Sequence, residues 1–128
     1  TVDRWQRTCY CLMSDVLLVI HLNTGRVLQE IPLGGHNFRV VWGQDGIIGV
    51  YDPEQQQVKI FNQSGMRLDI LPGTLLVSDR GVAVSQLHNK ETILLYASSG
   101  VHHLQAGAGT SPIGVFETPT QWLILTAS

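Results

Sequence analysis

Three turns in this sequence share one pattern, a hydroxyl residue followed by glycine between two apolar segments: Leu22-Asn23-Thr24-Gly25-Arg26-Val27, Asn62-Gln63-Ser64-Gly65-Met66 and Ala97-Ser98-Ser99-Gly100-Val101. Their glycines stand 40 and 35 residues apart. A tight hairpin needs positive φ, which glycine adopts without the steric cost other residues meet. Recurrence at a near-constant interval is the mark of a repeat architecture. The register holds elsewhere. Asp45-Gly46-Ile47-Ile48-Gly49-Val50 is echoed 35 residues on by Arg80-Gly81-Val82-Ala83-Val84, and Val58 by Ile93. A weaker echo of Val41-Trp42 and Ile47 to Tyr51 lies in Val115-Phe116 and Trp122 to Leu125.

Between the turns the apolar runs are short, rich in Val, Ile, Leu, Tyr and Phe, and none keeps a 3.6-residue period. Strands are expected near 8–12, 16–22, 26–31, 38–42, 46–51, 57–62, 66–71, 74–78, 81–87, 92–97, 101–105, 112–117 and 121–126. The prediction is an all-β chain. It has about three four-stranded antiparallel repeats of 35–40 residues, roughly 8–42, 46–78 and 81–117, with a further strand at 121–126, within one domain 1–128. Runs such as Val16-Leu17-Leu18-Val19-Ile20 do not alternate, which predicts strands covered on both faces.

Two architectures use four strands at this period, the β-propeller blade and the β-trefoil lobe. Gly43 to Asp52, then Gln55 to Phe61, then Asn62-Gln63-Ser64-Gly65, resembles a blade of the NHL-like and WD-repeat-like propellers. Ser78 to Leu104 resembles a second blade more loosely. Gln57 stands where the NHL pattern has Arg, the second stretch lacks the Asp, and no Trp-Asp or Gly-His signature occurs. The resemblance implies a partial propeller, since about three blades do not close a ring. The alternative is a closed β-trefoil, because Arg7 to Val27 and Gly46 to Met66 also resemble, distantly, fibroblast growth factor lobes.

Composition narrows the job. Charged residues are 14% of the 128, against roughly 25% in ordinary soluble domains. With eight Lys and Arg against ten Asp and Glu, the net charge is −2. Without a basic run, electrostatic binding to nucleic acid is not expected. No apolar run approaches the roughly 20 residues of a membrane-spanning helix. Cys9 and Cys11 read as structural thiols rather than zinc ligands, being one pair short of a site. Two lone thiols lean to a reducing, cytoplasmic compartment. The chain opens on Thr1 rather than Met, as a processed chain or excised piece does, so compartment is otherwise open.

No catalytic residue, cofactor or metal site is expected. There is no Gly-x-Ser-x-Gly elbow or phosphate-cradling loop. His21 reads as a packed strand residue, and His102 and His103, being adjacent on a strand, point to opposite faces. Asp52, Glu54 and Asp69 are too scattered for a calcium cage. His88, Glu91 and His102 faintly resemble a cupin metal site, but the His-x-His is missing; that is the enzyme alternative. Trp5, Trp42 and Trp122 fall in or beside strands and are expected in the core.

If the repeats are blades, the loops at 32–37, 72–73 and 106–112 and those at 52–57 and 88–91 emerge together and carry the candidate binding residues His36, Asn37, Arg39, Asp52, Glu54, His88 and Lys90. That mixed polar set suits protein recognition. The expectation is a non-catalytic protein–protein interaction module, a propeller-type scaffold completed by a protein partner or a second copy. The alternative is a small-ligand or carbohydrate-binding trefoil, such as a secreted factor.

Overall fold

The computed structural model describes residues 2–3, 7–35, 37–97 and 99–127. Among them every regular element is a strand. β1 (Val2–Asp3), β2 (Thr8–Met13), β3 (Val16–His21) and β4 (Val27–Pro32) form one sheet in that order. β5 (Arg39–Gln44), β6 (Ile47–Asp52), β7 (Gln57–Asn62) and β8 (Arg67–Pro72) form a second in the same way. β9 (Thr74–Ser78), β10 (Val82–Ser85), β11 (Thr92–Ala97), β12 (Gly100–Gln105), β13 (Ser111–Glu117) and β14 (Trp122–Ala127) form a third, ordered β12-β11-β10-β9-β13-β14. Its β9–β13 contact is parallel, pairing Gly114 with Val77 and Val115 with Ser78.

The strands lie where the sequence places them, apart from β1, whose two residues hold no apolar run. The grouping differs from the expected 8–42, 46–78 and 81–117. The strands at 39–44 and 74–78 each open a sheet rather than close the one before. Turn chemistry is the reason. Asp45 and Gly46 both take positive φ, 55° and 74°, the type I′ geometry that welds two strands into a hairpin. By contrast β4 and β5 are joined by a longer segment and lie in different sheets.

The chain divides into two compact units, Thr1–Gln55 with Lys59–Ile70, and Gln56–Val58 with Leu71–Ser128. In the first, Tyr10, Leu17, Val19 and Ile31 of the β1–β4 sheet form a core with Ile48, Val50 and Phe61 of the β5–β8 sheet. In the second, Leu76, Ala83, Ile93, Leu95 and Val115 are buried together, with Leu104, Trp122 and Ile124 packed against them.

Burial on both faces holds most fully at the second and third strands. Ile48, Gly49 and Val50 are buried in succession, as are Val82 to Ser85 and Ile93 to Leu95. Val16 to His21 instead alternates, with Leu17 and Val19 buried and the residues between them half-buried. The three repeat glycines take positive φ: Gly25 at 69°, Gly65 at 92° and Gly100 at 111°.

Candidate functional site

One backbone tie recurs in all three sheets and fixes the loops that carry the candidate residues. The turn between second and third strands offers a carbonyl to the N–H just beyond the fourth strand. Leu33 donates to Asp15 (2.8 Å), Gly73 to Gln56 (2.8 Å) and Ala106 to Glu91 (2.7 Å). Each sheet therefore brings the same two loops together at one end.

In the β5–β8 sheet that end gathers Asn37, Arg39, Asp52 and Glu54. Arg39 pairs with Tyr51 across the β5–β6 hairpin, next to Asp52. Asn37 is exposed at a positive φ of 66°, and Glu54 is exposed in the β6–β7 turn. Asp52 is buried, and its Oδ1 accepts the Glu54 N–H (3.0 Å) and the Gln55 N–H (3.2 Å). It closes its own loop, a role asparagine and aspartate commonly take in turns. His36 lies outside the described residues.

In the β9–β14 sheet the corresponding end holds His88 and Lys90, both exposed. The Lys90 carbonyl accepts the Ser85 hydroxyl (2.6 Å), while its Nζ donates to Ser111 Oγ (3.2 Å). Glu91 Oε1 accepts the Gly109 N–H (3.0 Å). The loop is thus stapled to the 106–111 segment. His102, the third member of the cupin-like set, instead stands with Nε2 2.6 Å from Ser99 Oγ and its ring 5.6 Å from that of Trp122. Among the described residues, no three of His, Cys, Asp and Glu are grouped to hold a metal ion. Cys9 is half-buried and Cys11 exposed, and both are free thiols. An open groove of about 420 Å³ runs along Val27–Glu30 of β4 and includes none of the candidate residues.

Two features are not legible in the sequence. The first is a buried polar cluster. Asp3 Oδ2 accepts the Tyr10 hydroxyl (3.1 Å) and the Gly46 N–H (2.8 Å). Gln63 Nε2 donates to the Tyr10 hydroxyl oxygen (2.9 Å) and to Thr8 Oγ1 (3.0 Å). Burial raises the Tyr10 phenol above the ordinary 10.0; hydrogen bonds from Thr8 and Gln63 lower it, and the Asp3 carboxylate adds to the rise. The second is the exposure of the predicted last strand: among the described residues β14 lies at a sheet end, with Leu123 and Leu125 half exposed, at 52% and 50%.

No protein-family model and no curated protein matches this chain. No helix among the described residues is long and apolar enough to cross a membrane.

Proposed function

We propose that this chain is a non-catalytic protein–protein interaction module built of β-propeller-type repeats, completed by a protein partner or by a second copy. The observation that carries the reading is the recurrent tie from Leu33 to Asp15, Gly73 to Gln56 and Ala106 to Glu91. A sequential four-stranded meander whose two loop types meet at one end is the arrangement of a propeller blade. Such a scaffold presents variable loops for recognition, here with Asn37, Arg39, Glu54, His88 and Lys90, and with Asp52 shaping the loop that bears Glu54.

A second observation supports the same reading. Large apolar side chains are exposed at strand positions, among them Val77 (65%), Leu123 and Leu125. Apolar surface left in water marks an interaction site when it gathers into patches. Light scattering with dye binding tests the reading. The folded chain binds an apolar-surface dye or associates as concentration rises. A monodisperse monomer that binds no dye and unfolds in one cooperative step contradicts it and favours a self-closed trefoil.

A further inference from the structure

Strand parity sorts the residues of β2 into two faces. Thr8, Tyr10 and Leu12 turn to the core of the first unit, where Tyr10 is buried and Leu12 packs against the cluster. Cys9, Cys11 and Met13 therefore share the opposite face, because alternate residues of a strand point the same way. Both cysteines are free thiols, Cys9 half-buried and Cys11 exposed. Cys11 Sγ makes a weak contact with the Leu12 carbonyl oxygen at 4.0 Å.

The residues opposite them are aliphatic. Across the β2–β3 hairpin Cys9 faces Ile20 and Cys11 faces Leu18, and Cys9 also faces Val2 of β1. None of these side chains offers nitrogen or oxygen. The carboxylate in register with Cys11 is that of Glu30, opposite Leu18 on β4. It stands two strands away, about 10 Å at the usual interstrand spacing. The two thiols are thus a pair of sulfur donors without a hard donor beside them.

Spacing decides what such a pair can do. Alternate Cα atoms of a strand lie about 6.7 Å apart. To form a disulfide of about 2.05 Å, each sulfur would have to lean more than about 2 Å toward the other, at the upper limit of the Cα separations that disulfides span. An ion between them relaxes the demand. Two metal–thiolate bonds of about 2.3 Å set the sulfurs roughly 4.6 Å apart, so each leans only about 1 Å. Zinc asks for four ligands and finds two. Soft sulfur donors select Cu(I), an ion that two thiolates in line satisfy. Met13 lies a further 6.7 Å or so along the strand, too far for its thioether to reach an ion held between Cys9 and Cys11.

We infer that Cys9 and Cys11 bind one Cu(I) ion between them on the face of β2 turned away from the core. Each thiol releases its proton to solvent as its sulfur–copper bond forms. Copper stays Cu(I), and no electron is transferred. The assignment goes beyond the interaction-module reading and stands apart from it.

Anaerobic titration of the full chain with Cu(I), kept reduced by ascorbate and offered against a chromogenic Cu(I) chelator, tests the site. The expected result is one ion per chain, an ultraviolet copper–thiolate charge-transfer band, and protection of both thiols from a thiol reagent. Cys9→Ser and Cys11→Ser each weaken binding about a hundredfold or more, and Zn(II) binds more weakly than Cu(I) by a similar factor. Met13→Leu leaves binding unchanged. Cys11→Ser, at the exposed position, decides the matter should Cys9→Ser disturb packing. Failure to compete with the chelator overturns the inference, as does binding that survives Cys11→Ser. A stoichiometry of one ion per two chains also overturns it, because the copper then bridges molecules. None of these outcomes bears on the module reading, which dye binding and light scattering test separately.

Discussion

Asp3 shows how much one buried carboxylate can organise. At 0% exposure it is held by the Tyr10 hydroxyl and the Gly46 N–H, so it joins β1, β2 and the β5–β6 turn. Tyr10→Phe removes the hydroxyl that Asp3, Thr8 and Gln63 share. Loss of a buried hydrogen-bonding partner typically costs about 1–3 kcal/mol, and denaturant unfolding checks it. The effect depends on pH. The folded state holds the Tyr10 proton more tightly than the unfolded chain, whose phenol titrates near 10.0. This contribution is complete below that pH and is lost as pH rises through the higher folded value. The stability gap between wild type and Tyr10→Phe therefore shrinks above pH 10, and unfolding curves from pH 8 upward measure it.

Gly81 makes a different demand. Its φ is 137°, and a Cβ would run into the Tyr96 carbonyl of the neighbouring strand. Gly81→Ala strains the backbone and pushes β10 from β11, at a cost of about 2–3 kcal/mol. Little change in unfolding midpoint would contradict that close approach. The motif Arg80-Gly81-Val82 made this glycine visible in the sequence, whereas nothing near Val2-Asp3 announced β1. Two residues carry no periodicity, and Asp3 earns its place through partners more than 40 positions away in the case of Gly46. Contacts at that separation leave no local trace.

Among the strands, position within the sheet sets what a side chain is worth. Ile48, in the second strand of its sheet, is 0% exposed in the core of its unit. Ile48→Ala should cost about 2–5 kcal/mol, the range for large-to-small changes in packed cores. Leu125, in β14 at a sheet end, is 50% exposed, so Leu125→Ala should stay within about 0.5 kcal/mol. Thermal unfolding of the two variants checks the contrast, and comparable losses would mean that β14 is already covered. Strand positions were readable from short apolar runs between glycine and polar punctuation. The partition into sheets was not, because a hairpin is set by turn conformation at Asp45-Gly46, while the runs on either side of it look alike. The candidate loops were readable in outline. The inward use of the Asp52 carboxylate was not, since aspartate before a polar loop serves as turn-former or as surface ligand with the same letters.

Across the whole chain, the same tie between loops recurs in all three sheets, as the glycine turns do. Three sheets carry this plan, and β14 lies at the end of the third. Hydrogen exchange of the chain alone, resolved strand by strand, tests that plan most directly. The account predicts that amides of β6 and β10 exchange about a hundredfold or more slowly than those of β14, as flanked strands do against a free edge. Exchange at 122–127 as slow as in β6 would contradict it.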